Sequence, residues 1–283
     1  MKKTPVNGAD LIVFDVDGVL VDASRSFPAV VARCLDWAWT RVLGRIPDGG
    51  GFSFEHFAAT KTHPAFNDDY DIAWAAVSCA ASSPSPLLSE SLPPPGEWRA
   101  ILEGAGEDIE GWVRDSFGVT VPRDLIRDAC GEMYFGGDGY ESLGLALRYT
   151  TRRGGLWEEE TPLADFHWRD LPLPAGIYTG RTRAELALGL KVIGWEDFPP
   201  RMVVSSDDGI LKPSPLGLSL LCERAGAGAP LFLGDAESDR EAARAFGRGS
   251  FGAIGCFLPY EPRSFKDPSE ALAAAGILLK GRG

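Results

Sequence analysis

Histidine is scarce in this chain: His56, His63 and His167 are the only three in 283 residues. None stands in the HExxH or HxxxH spacing that sets two imidazoles on one helix face, so a histidine zinc site is not expected. The five cysteines, Cys34, Cys79, Cys130, Cys222 and Cys256, are odd in number, scattered and without a CxxC pair. They support neither a disulfide framework nor a thiolate metal centre, and they read as reduced, mostly buried thiols. Basic residues are also short: 28 Lys and Arg against 40 Asp and Glu leave a net charge of −12. That balance argues against wholesale binding to nucleic acid or to an acidic membrane surface. Long apolar runs are missing. The nearest, Ala73–Ala81, is nine residues with a serine inside it, about half of the ~18 that a membrane helix needs. Asp10, Asp15 and Asp17 interrupt any leader-like apolar core behind Lys2 and Lys3, so a cytoplasmic place is expected.

What is present is ordinary globular material, 45% hydrophobic and 24% charged, in a length that suits two domains or one large one. Leu11–Phe14 is a short apolar run that stops at Asp-Val-Asp-Gly, the pattern of a buried strand ending at a polar loop. Phe27 to Val42 has helical spacing, with Gly44 as its stop. Residues 82–98 carry five prolines and read as a loop; residues 99–171 give no clear assignment. Regular alternation returns with apolar runs at Ala175–Tyr178, Met202–Val204, Leu231–Leu233 and Ala253–Phe257. Helical stretches lie between them and a closing helix over Ser269–Leu279. Strands alternating with helices predict a parallel sheet covered on both faces, with its ligands beyond the carboxyl ends of the strands.

Three apolar runs end in reactive chemistry. Asp15 and Asp17, two apart on an extended chain, project to one side, and Gly18 permits the turn that follows. Two crowded carboxylates repel unless a cation is shared or one is protonated. Thr179 and Gly180 offer a hydroxyl and an N–H near a helix start, which suits an anion. Lys212 adds a cation in a loop stiffened by Pro213 and Pro215, while Asp235 and Asp239 add hard oxygen donors of the kind Mg²⁺ takes.

In this order the segments FDVDGVL (14–20), YTGR (178–181), KPSP (212–215) and GDAESD (234–239) resemble the four loops of the haloacid dehalogenase-like hydrolase superfamily. The resemblance implies an α/β fold: a Rossmann-like parallel-sheet core from residues 1–22 and 172–283, with a mainly α-helical cap inserted over 23–171. It also implies roles. Asp15 would be the nucleophile that forms an aspartyl-phosphate, and Asp17 the acid that protonates the leaving group and then the base that activates water. Thr179 and Lys212 would hold phosphoryl oxygens, with Gly180 and Arg181 beside the substrate. Asp15, the carbonyl of Asp17, Asp235 and Asp239 would hold or support Mg²⁺. Dehalogenases lack a carboxylate at the second position because halide leaves without a proton; Asp17 therefore favours phosphate chemistry.

The implied cap is about twice the usual size. Within it, TKTHPAFNDDY (Thr60–Tyr70) resembles a segment of one branch of the superfamily that carries a Lys followed by Gly-Gly-Phe-Asn-Asn-Asp-Trp. Here Pro64-Ala65, Asp68 and Tyr70 depart from it. Lys61, Asn67 and Asp69 are thus candidate contacts for the non-phosphate part of a substrate; the alternative is a solvated loop whose Asn and Asp cap a helix over Asp71–Ser78. Tyr134 with Gly136-Gly137 reads as packing, and Trp157 with Glu158–Glu160 as packing and exposed charge. Arg25 reads as surface. The expected activity is a Mg²⁺-dependent phosphohydrolase acting on a small phosphorylated metabolite, as monomer or homodimer. The alternatives are a phosphomutase of β-phosphoglucomutase type and a non-catalytic phosphate-binding regulator.

Overall fold

The computed structural model describes residues 8–118, 121–255, 258 and 264–280. The chain opens with β1 (Leu11–Phe14) and β2 (Val21–Asp22), then runs through seven α-helices among the described residues. These are α1 (Phe27–Trp37), α2 (Phe54–Lys61), α3 (Asp69–Ala81), α4 (Leu88–Ser91), α5 (Pro95–Leu102), α6 (Ile109–Phe117) and α7 (Arg123–Ser142). It continues with β3 (Thr161–Pro162), β4 (Ala175–Tyr178), α8 (Arg183–Val192), β5 (Val203–Val204) and α9 (Leu216–Ala225). The last elements are β6 (Pro230–Gly234), α10 (Glu237–Phe246), β7 (Ser250–Ile254), β8 (Ser264–Phe265) and α11 (Pro268–Ala274). No helix among the described residues is long and apolar enough to cross a membrane. The four described cysteines are buried free thiols, and Cys256 and Phe257 lie outside the described residues.

The chain divides into two units: one runs to Ala23 and resumes at Glu160, the other is Ser24–Glu159. The first is a six-stranded parallel sheet in the order β5-β4-β1-β6-β7-β8. All four residues of β1 are buried, as a central strand covered on both faces requires. Ile12 aligns with Ala175 on one side and Leu231 on the other, so β1 lies between β4 and β6. From β4 the chain goes outward to β5, and from β6 it goes the other way to β7 and β8. That reversal makes a crevice at the carboxyl end of β1. Phe14, Phe166, Trp195 and Phe198 anchor the core, with Trp195 edge-on to Phe14 at 5.9 Å and stacked on Phe198 at 5.8 Å.

The return to the sheet unit comes at Glu160, earlier than the expected 172, for a backbone reason. β3 pairs antiparallel with β2, Val21 opposite Pro162 and Asp22 opposite Thr161. The N–H groups of Leu163 and Ala164 then donate to the Leu20 carbonyl at 2.9 and 3.2 Å. Ala164, Phe166 and Leu171 follow into the sheet's core. Two further expectations are corrected. Residues 82–98 are not all loop: α4 and the start of α5 lie there, with Pro94 as N-cap and Pro95 in the first turn, where a missing N–H costs nothing. The closing helix stops at Ala274 rather than Leu279, just before Gly276 at φ +75°.

The helical unit is built on α1, α3 and α7, which pack on one another. Every position of α3 is buried, and its two acidic residues are matched. Asp71 takes a bidentate pair from Arg123 at 2.8 and 2.7 Å, and Asp69 takes Lys61 at 2.8 Å. Tyr134 stacks on Phe27 at 4.8 Å, the packing role expected of it.

Candidate active site

The residues directly after β1, β4 and β6 are Asp15, Thr179 and Asp235, so three neighbouring strands deliver a carboxylate, a hydroxyl and a second carboxylate to one crevice. The sheet's hydrogen bonding carries one residue past the strand ends. Asp15 N donates to the Leu233 carbonyl at 2.9 Å and Thr179 N to Val204 at 3.0 Å, which fixes both side-chain bases. Gly18, at φ +69°, closes the tight loop after Asp17, and a Cβ there would fall 2.0 Å from Asp235 Oδ2. Only glycine lets this loop approach the second carboxylate so closely.

Lys212 crosses the crevice. Its Nζ donates to Asp15 Oδ2 at 2.9 Å and to Asp239 Oδ1 at 2.6 Å. Tyr178 Oη donates to the Ser214 carbonyl at 2.8 Å, tying the lysine's loop to the end of β4. Burial opposes the ammonium, but the two carboxylates outweigh it and hold Lys212 above its ordinary value. Asp239 has both oxygens engaged, the second accepting from Asp235 N at 3.2 Å and Ala236 N at 3.1 Å in the first turn of α10. It therefore aims the lysine and shapes the Asp235 loop. Asp15 is pushed up to about 7 chiefly by burial, with Asp239 and Asp17 adding to the rise and Lys212 opposing it.

The fit to a divalent cation rests on two features. Oxygens of Asp15, Asp235 and Asp239, all buried, lie within 4.8 Å of one another. Asp15 Oδ1 is buried without a hydrogen-bond partner among the described residues, which is costly for a carboxylate that nothing else coordinates. An all-oxygen acidic donor set suits Mg²⁺ rather than zinc.

Asp17 stands apart from that cluster, its carboxylate gripped by Arg181. Nε lies 3.1 Å from each Asp17 oxygen and Nη2 lies 2.5 Å from Oδ1. The expected place of Arg181 beside a substrate meets an arginine only 2% exposed. Its Nη2 also reaches Glu160 Oε1 at 3.0 Å, and Nη1 donates to the Glu185 carbonyl at 3.1 Å. Its backbone N–H donates to Thr179 Oγ1 at 3.2 Å, while Gly180 is half-buried between them. Glu160, read from sequence as exposed charge, has a fully buried side chain. Nothing in the run Glu158-Glu159-Glu160 distinguishes the third from its neighbours, so the sequence holds no signal for it.

The remaining candidates belong to the helical unit. Lys61 and Asp69 are joined to each other, Asn67 is half-buried, and Arg25 is exposed. Residues 62–68 form a partly exposed turn and loop, and Asp68 caps the helix as the alternative reading expects, accepting from Tyr70 N at 2.9 Å. That helix begins at Asp69 rather than Asp71.

Comparison with solved structures shows the same fold elsewhere. The Thermococcus thioreducens phosphatase Tt82 is 24% identical over 94% of this chain and 99% of its own, with a TM-score of 0.63. A Northeast Structural Genomics Consortium target is 15% identical over 94% of both chains, with a TM-score of 0.55. Among curated proteins none matches the chain. The family model for haloacid dehalogenase-like hydrolases matches residues 9–247, from the start of β1 through the end of α10. With that match covering both units, the chain belongs to the haloacid dehalogenase-like hydrolase family.

Proposed function

We propose that the protein is a Mg²⁺-dependent phosphohydrolase that removes phosphate from a small phosphorylated metabolite through an aspartyl-phosphate on Asp15. The observation that carries the reading is the buried Asp15, bridged to Lys212 at 2.9 Å through one oxygen and with no hydrogen-bond partner on the other among the described residues. Family membership supports it, and so does the name phosphatase given to the similar Thermococcus protein.

Phosphoryl transfer needs in-line positioning and cancelled charge more than covalent ingenuity. A carboxylate approaches a dianionic phosphate only where cations offset the repulsion, and Lys212 lies on the nucleophile itself. Asp15, Asp235 and the Asp17 carbonyl would hold Mg²⁺, with Asp239 in support; the ion supplies further charge neutralisation at the phosphate. Asp15 attacks phosphorus, and Thr179 and Lys212 bind the phosphoryl oxygens. Asp17 gives a proton to the departing oxygen and later takes one from the water that opens the aspartyl-phosphate. The helical unit, with Lys61, Asn67 and Asp69, would recognise the rest of the substrate.

The test is a panel of phosphorylated metabolites with Mg²⁺ and with excess EDTA. Turnover should require the ion, and full activity in EDTA would sink the reading. Asp15→Asn should abolish turnover, since an amide is no nucleophile toward phosphorus. Asp17→Asn should cost about 10²–10⁴-fold, and less for p-nitrophenyl phosphate, whose leaving group departs with little protonation. Near-normal turnover in Asp15→Asn alongside a dead Asp17→Asn would reverse the two roles. Phosphate recovered on a second hydroxyl, not free in solution, would make the enzyme a mutase.

A further inference from the structure

Resting on the reading of Asp17 as the proton donor, we propose that Glu160 and Arg181 are a positioning pair for Asp17, and that Arg181 is not a substrate ligand. The guanidinium is fixed on every side. Its Nε–Nη2 edge meets Asp17, Nη2 is shared with Glu160, and Nη1 is held by the Glu185 carbonyl. A planar fork so engaged presents one orientation to the carboxylate it holds. The protein also makes room for it. Gly189 lies inside α8, where glycine is a poorer helix former than alanine, and a Cβ there would come within 2.8 Å of Arg181 Nη1.

Glu160 is tied to the Asp17 loop by backbone as well. It directly precedes β3, which pairs with β2, and the bridge Asp17–Val21 links β2 back to Asp17. A buried carboxylate is tolerated only when paired, and Glu160 is paired with the arginine that grips Asp17. The chain therefore clamps Asp17 twice, through the β2–β3 ladder and through the Glu160–Arg181 fork. The same arginine's N–H donates to Thr179 Oγ1, so acid and phosphate-binding hydroxyl share one brace.

The experiment compares kcat and KM of Glu160→Gln on phenyl phosphate, a poor leaving group, and p-nitrophenyl phosphate, a good one, alone and combined with Asp17→Asn. Misplacing an acid by a fraction of an ångström should lower kcat on phenyl phosphate by about 10-fold or more. KM should stay nearly constant, and the loss on p-nitrophenyl phosphate should be smaller. In the Asp17→Asn background Glu160→Gln should cost nothing further, because the group it positions is gone. Gly189→Ala keeps every charge and crowds the guanidinium from the far side; it should give the same leaving-group pattern, and it supplies the test should Glu160→Gln melt below the assay temperature. Equal losses on both esters, losses that multiply with Asp17→Asn, or a change confined to KM would overturn the proposal. Normal turnover of phenyl phosphate by Asp17→Asn alone would instead overturn the acid reading beneath it.

Discussion

Burial favours the protonated form of a carboxyl group, and a cation taken up at the proposed site would compete with that proton on Asp15. Its ordinary value near 3.8 is raised to about 7 in the folded chain. Between those two values the metal-free native protein keeps a proton that the unfolded chain has released, so its stability falls as pH rises through that window. A cation ligated by Asp15 must displace that proton. The rise in Tm produced by Mg²⁺ should therefore be small at pH 5.5 and grow through pH 7 to pH 8. Thermal melts at the three values, with and without the ion, measure it. Asp15→Asn should lose both the acid-side stabilisation and most of the Mg²⁺ response. A Mg²⁺ shift independent of pH would mean that the ion sits away from Asp15.

At the scale of elements the two units keep their chemistry differently. The sheet unit holds it at strand ends, whereas α3 is a rod buried at all thirteen positions and lined by small residues. Ala73, Ala75, Ala76 and Ala80 are at 0% exposure, which lets α1 and α7 approach closely. Ala76→Leu should thus destabilise the protein by about 1–3 kcal/mol through overpacking, read as a lower denaturant midpoint. The same change at exposed Ala100 on α5 should stay within about 0.5 kcal/mol.

The contrast also explains what the sequence discloses. β1, β4 and β6 are legible because each is an apolar run that ends abruptly at a polar side chain, and Asp15, Thr179 and Asp235 stand directly after those endings; Lys212 and Asp239 do not, and their roles come only through the resemblance of their segments. A helix buried all round has no polar face and hence no period, so the bounds of α3 were blurred. Proline is ambiguous: Pro94 and Pro95 begin a helix that composition alone makes a loop. Gly136, at φ 68°, bends α7 where a Cβ would strike the backbone of Gly155 at 2.4 Å, a long-range reason that no local pattern carries. Glu160 is illegible for the same cause: the arginine it meets is 21 residues away, and its neighbours are charged like itself.

The whole molecule places its proposed chemistry and its insertion on separable parts. Asp15, Asp17, Thr179, Lys212, Asp235 and Asp239 all belong to the sheet unit, and so do Arg181 and Glu160. The insertion leaves and re-enters through β2 and β3, where Asp22 stands opposite Thr161. Paired residues of an antiparallel ladder lie only about 5 Å apart, a span that four flexible residues bridge easily at up to ~3.5 Å each. Replacing Ser24–Glu159 by a Gly-Ser-Gly-Ser linker should therefore leave the sheet intact. The shortened chain should melt cooperatively, and Mg²⁺ should raise its Tm, since every proposed ligand remains. Its turnover of the full protein's best metabolite should fall further than its turnover of p-nitrophenyl phosphate, which offers little for a specificity unit to recognise. A shortened chain with helical far-UV signal but no near-UV signal, binding a hydrophobic dye, would be a molten state. In that case the β2–β3 ladder would not suffice to close the sheet unit, and the insertion would be part of what folds it.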